Sequence, residues 1–169
     1  MIWIRSLFDG LIVSVLICGW ISIILKVNPR YEMKSFPPEI VNQVDKQTLD
    51  EKKGFLKLAI PMLLIITLYI IFSCIVTYGN LEISNKTIFS HIFIVFMVWN
   101  TIDLVIFDWI VFCKINPDFM ILPGTKGNPA YKDYMYHLKG FLKGIILSLI
   151  ASTILTFLVI FIDIFIKSM

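Results

Sequence analysis

With 169 residues, 58% of them hydrophobic and 16% charged, the chain is more apolar than a soluble domain, for which about 45–50% apolar and about 25% charged residues are usual. A net charge of +3 is too small to argue for nucleic acid as a partner. The three cysteines, Cys18, Cys74 and Cys113, fall in or beside apolar runs without a CxxC pair, which argues against a thiol relay or a disulfide framework and for small buried hydrophobes.

Four apolar windows approach the roughly 20 residues needed to cross a bilayer: 7–25, 58–78, 88–113 and 141–166. They predict an all-α membrane protein, a single domain over 1–169 built as a four-transmembrane-helix bundle. Two longer loops, 26–57 and 114–140, and a short turn, 79–87, connect the spans. The first window is too long for a signal-peptide core, and no small-x-small cleavage site follows it, so it is read as a span. Seven Lys and Arg residues fall between Lys26 and Lys57 and five between Lys114 and Lys143, against three (Arg5, Lys86 and Lys167) at the other ends of the spans. Basic residues stay on the cytoplasmic side. Both long loops are therefore expected in the cytoplasm, with both termini and the 79–87 turn outside, in a bacterial plasma membrane.

In the first span, Asp9 lies about one turn inside the outer boundary and reads as a solvated carboxylate, with Trp3 and Tyr78 as aromatic anchors at the same interface. In the loop that follows, Asn28-Pro29-Arg30-Tyr31 reads as a turn. After Pro37-Pro38, residues Ile40, Val41, Val44, Thr48 and Leu49 suit one side of a short helix, either lying in the interface or leading into span two. Pro61 falls near the start of span two, where a helix tolerates proline best.

The third span carries charge where charge is costly. Asp at the centre of a membrane helix costs at least about 2.5–3.5 kcal/mol and is a functional candidate by default. At about 1.5 Å per residue counted back from Lys114, Asp103 lies roughly 16 Å deep and Asp108 roughly 9 Å deep. On an α-helix, Asn100, Thr101, Asp103, Leu104, Phe107 and Asp108 share an arc of about 160°, expected to face the other helices. Asn100, Thr101, Asp103 and Asp108 are the candidate ligand- or ion-binding residues. On the same geometry Asp103 and Asp108 stand about 140° apart, which disfavours a shared metal ion. No metal and no cofactor is expected. The plainer alternative makes Asp103 a protonated, hydrogen-bonded link between helices.

The 114–140 loop is too long for an ordinary connector and too aromatic for disorder. Pro123-Gly124-Thr125-Lys126-Gly127 has the residues of an anion-binding turn but lacks the G-x-x-x-x-G-K-[ST] pattern. Arg30, Gly124, Thr125, Lys126, Tyr131 and Lys132 form the candidate set for a site on the loops. His137 is four residues after Asp133, a spacing that fits either an oriented imidazole or a surface ion pair. His137, Asp133 and Asp108 are the candidate acid/base groups. In span four, Gly140, Gly144, Ser148 and Ser152 recur every four residues, a small-residue ridge suited to packing against span three.

Three functions follow as expectations. The first is binding or translocation of a proton, cation or small polar ligand at Asp103, with Asp108 as relay. The second is a regulatory or assembly subunit docking a partner through its loops. The third is an enzyme acting on lipid or isoprenoid headgroups at the inner leaflet. The expected partners are the lipid bilayer and either a second copy of the chain or another membrane protein.

Overall fold

A computed structural model describes residues 2–79 and 84–168. All regular elements among these residues are helical: α1 (Ile2–Val27), α2 (Pro38–Val41), α3 (Leu49–Tyr78), α4 (Asn85–Ile102) and α5 (Tyr134–Ser168). A π-helical segment, Asp103–Ile115, continues α4 without a break, and short 3-10 turns at Pro29–Ser35, Asp118–Met120 and Pro129–Lys132 shape the loops. Four helices are long and apolar enough to cross a membrane. Residues 80–83 of the expected 79–87 turn lie outside the described residues.

The long helices overrun their apolar windows because polar caps set their starts. Thr48 accepts from the Glu51 N–H at 3.1 Å, and Glu51 accepts from the Thr48 N–H at 2.8 Å, a reciprocal cap that starts α3 at Leu49. Pro61 is therefore an interior helix residue rather than one near the start, and the Lys57 carbonyl loses its usual helical donor. The expected short helix keeps only Pro38–Val41, and Thr48 and Leu49 belong to the start of α3. Asp133 caps α5 by accepting from the Tyr136 N–H at 2.9 Å, so that helix begins before Gly140.

Packing divides the interior into two parts, one toward the chain termini and one toward the long loops. At the termini end, Val13, Ile17, Ile66, Ile70, Ile92 and Val95 interlock α1, α3 and α4. Gly10 admits the Val98 side chain so closely that a Cβ there would lie 2.7 Å from Val98 Cβ. At the loop end, Met33, Phe36, Ile40, Phe112, Met120, Leu122 and Tyr131 make a second core from both long loops and the π-helical segment. The loops thus fold onto the bundle as a compact cap. All three cysteines are free.

Asp9 corrects the reading of a solvated carboxylate. It is 1% exposed and gathers partners from three helices. Arg5 Nε lies 3.1 Å from its Oδ2, Tyr69 donates to Oδ1 at 2.8 Å, Ser73 donates to Oδ2, and His91 Nε2 sits 3.1 Å from Oδ2. Tyr78 is likewise buried rather than an interface anchor, its hydroxyl 2.8 Å from His91 Nδ1. The helix-to-helix contacts that bury Asp9 are not visible in a single apolar window, which is why the sequence placed it in water.

Candidate functional site

At the loop end, α1, the Pro29–Ser35 turn, α4 with its π-helical extension, and α5 enclose a cavity of about 540 Å3. Glu32, Asp103, Asp108 and His137 all line it. Asp103 and Asp108 reach the same cavity although an α-helix would set them well apart. The reason is the π-helical winding between them: bonds closed five residues apart turn less per residue and bring positions i and i+5 toward one face. The segment ends on such a bond, from the Asn116 N–H to the Val111 carbonyl at 2.8 Å, with Asn116 itself left-handed at φ 47. Wide helical turns of this kind are frequent at functional sites.

Asp108 Oδ1 lies 3.1 Å from His137 Nδ1, and the imidazole is almost sealed, its side chain 5% exposed. Phe112 and Tyr136 pack edge-on against that ring, at centroid distances of 4.9 Å and 5.4 Å. His137 is therefore oriented by Asp108 on the third span, while its sequence neighbour Asp133 caps the helix instead. The buried His137 Nε2 and Trp99 Nε1, both on residues that line the cavity, have no hydrogen-bond partner among the described residues. Asp103 has no hydrogen bond or ion pair to any described residue, so the interhelical link expected as its plainer role is not made. Asn100 makes that kind of link, donating to the Phe141 carbonyl at 3.1 Å with Gly144 leaving it room.

The small-residue ridge of α5 is split in use. A Cβ on Gly144 would lie 2.5 Å from Asn100 Oδ1, and Ser148 and Ser152 are buried. Gly140, by contrast, faces open space and lines the cavity.

Of the residues singled out in the sequence, Asn100, Asp103, Asp108 and His137 come together at this cavity. Thr101 does not: it is exposed and absent from the lining, because the α-helical turn that holds it carries it beyond the packed side of the span. Of the loop candidates, Arg30, Thr125 and Tyr131 make contacts that hold the folded loops together. Arg30 pairs with Glu51 at 2.6 Å and donates to the Asp45 and Lys46 carbonyls. Thr125 is buried, donating to the Leu122 carbonyl at 2.9 Å and sharing a 2.7 Å hydrogen bond with the Tyr131 hydroxyl, so its oxygen is not free for an anion. Gly124 and Gly127, with φ of 83 and 86, permit the paired turns on which this anchor depends. Lys126 meets Asp118 at the surface, and Lys132 is exposed.

Glu32 was missed in the sequence because it lies in the 3-10 turn of a loop and only folding carries it to the cavity. Burial pushes its carboxyl above the usual carboxylate range, opposed by the hydrogen bond it accepts from the Ser35 hydroxyl at 3.1 Å. Lys34, Lys139 and Lys143 are exposed at the cavity mouth. Among the described residues no group of three His, Cys, Asp or Glu side chains is close enough to hold a metal ion. No protein-family model, no curated protein and no solved structure matches this chain.

Proposed function

We propose that this protein is a multi-pass membrane protein that binds a small polar or amphiphilic ligand in the loop-end cavity. The observation that carries this reading is the convergence of Glu32, Asp103, Asp108 and His137 on one cavity of about 540 Å3, within the usual range for small-molecule sites. Asp103 has no hydrogen-bond or ion-pair partner among the described residues, as a group kept for a ligand would. The distribution of Lys and Arg supports placing the loop end in the cytoplasm, with both termini outside. The cavity then opens near the cytoplasmic surface of a plasma membrane.

The test is a thermal-shift screen of the purified full chain against amines, carboxylic acids, phosphate esters and lipid headgroups, run beside Gly140→Phe. A Cβ at Gly140 meets no atom within 4 Å and Gly140 lines the cavity, so a side chain can start there, and Phe is chosen to occupy cavity space. A ligand at 100 times its Kd stabilises by about 2.7 kcal/mol. The reading expects a compound that raises the melting temperature of the wild type and not of Gly140→Phe. A flat screen, or equal shifts in both proteins, would end it.

The Asp108–His137 pair favours a second reading. A carboxylate at Nδ1 that leaves Nε2 unpartnered is the arrangement of a general acid/base. On that reading the ligand is a lipid or isoprenoid headgroup, and His137→Gln abolishes its turnover while leaving its binding.

A further inference from the structure

We infer that the cavity selects an organic ammonium carrying an apolar or aromatic body. This rests on reading the cavity as a ligand site and names the chemistry it would take.

The charge inside is unbalanced. Glu32, Asp103 and Asp108 face one cavity, and the one imidazole among them, His137, meets Asp108 alone. Lys34, Lys139 and Lys143 also line the cavity, but all three are exposed and form no ion pair among the described residues, so the basic groups sit at its mouth and the acidic ones further in. A carboxyl removed from water either takes up a proton or is paired with a cation, and a ligand cation supplies the second.

A metal ion is a poor candidate for that cation. It needs three or more donors converging within bonding distance, which the described His, Cys, Asp and Glu residues do not provide. Carboxylates spread over a cavity of this size suit a larger ion whose charge is contacted from several sides.

The rest of the lining fits an organic body. Phe36, Trp99, Phe107, Phe112, Tyr136 and Phe141 line the same space as the carboxylates. Aromatic faces attract ammonium groups through the ring quadrupole, and aromatic cages are a recurring way of holding organic cations. Leu147, 65% exposed on the flank of α5, also lines the cavity and gives an apolar tail a lateral way out between helices.

Two unpartnered atoms add a finer requirement. With Nδ1 turned to Asp108, a neutral His137 offers a lone pair at the buried Nε2, which an ammonium N–H can satisfy. A quaternary ammonium lacks that proton. The site should therefore favour a primary or secondary amine over its trimethylated analogue. Trp99 Nε1, a donor only, would accept no cation and suits an oxygen on the ligand body.

The experiment is isothermal titration of the full chain in lipid nanodiscs, with empty nanodiscs as blank, using three probes of one shape: 4-phenylbutylammonium, 4-phenylbutanol and 4-phenylbutyrate. The expected result is saturable binding of the ammonium, at least tenfold tighter than of the alcohol or the carboxylate. Asp103→Asn should weaken it at least tenfold, and Gly140→Phe should remove it. Glu32→Gln, in a loop turn outside the spans, serves the same purpose should Asp103→Asn fail to fold. If the alcohol or carboxylate binds as tightly as the ammonium and Gly140→Phe blocks both, the cavity is a ligand site and the ammonium assignment is overturned. If no probe binds, or binding is unchanged in Gly140→Phe, the assignment falls together with the site itself.

Discussion

Asp108 Oδ1 and His137 Nδ1 lie 3.1 Å apart, joining the π-helical end of the third span to the first turns of α5 beside the cavity. The pair leaves the other imidazole nitrogen, Nε2, without a hydrogen-bond partner among the described residues. Replacing His137 with Ala removes a buried ring and leaves Asp108 unpaired. A hydrogen bond to a charged group contributes about 1.5–3 kcal/mol, so His137→Ala should destabilise by about 2 kcal/mol or more. Thermal unfolding in a mild detergent measures this, and an unchanged midpoint would show that the pair is not formed.

Asp103 should behave in the opposite way. It lines the cavity without a described hydrogen bond or ion pair, so Asp103→Asn removes a costly carboxyl and breaks nothing. Groups held for function commonly trade stability for it, so replacing one with a neutral isostere is expected to stabilise. The midpoint of Asp103→Asn should rise while ligand response is lost. A fall of several degrees would instead make Asp103 a structural link.

The Asp9 network supplies the contrasting case at the other end of the bundle. Its carboxylate is buried and hydrogen-bonded from α1 and α3 through Arg5, Tyr69 and Ser73, with His91 Nε2 of α4 3.1 Å away. Breaking a buried pair costs about 3–5 kcal/mol, and Arg5, being partly exposed, recovers some of that from water. Asp9→Ala should lower stability by about 3 kcal/mol, read by the same unfolding assay, without changing selectivity among ligands. Retained stability would mean that the three helices are held by apolar packing alone.

Glu32 makes stability depend on pH. Burial raises its folded-state carboxyl above the unfolded value, so the protonated form is favoured by folding. Its stabilising contribution is present below the unfolded pKa and is lost as pH rises through the folded one. Lys34, Lys139, Lys143, Asp103, Asp108 and His137 line the same cavity and share its field. Glu32→Gln stays neutral throughout. Between pH 4 and pH 8, the difference in melting temperature between Glu32→Gln and wild type should be smallest at pH 4, should shift in the variant's favour as pH rises through the folded-state pKa, and should level off above it. A difference that is constant across this range would remove the assigned cause.

The apolar windows, the number of long helices and the presence of two acidic residues, Asp103 and Asp108, within the third span are determined by the sequence itself. They follow from the length and cost rules of a bilayer, which act on each segment separately. The anchoring role of α5's small residues is legible for the same reason, since four-residue spacing is a property of one helix. Tertiary structure decided the rest. Where α3 and α5 begin depends on the Thr48–Glu51 and Asp133 caps, which lie outside the apolar windows. The burial of Asp9 depends on partners 60 and 64 residues away, Tyr69 and Ser73. Above all, an α-helical wheel separates Asp103 from Asp108, and only the π-helical winding, stabilised by packing against α1, α5 and the folded loops, turns both into one cavity with Glu32. Periodicity is a local rule, and the choice between two periodicities is made by the neighbours a segment packs against.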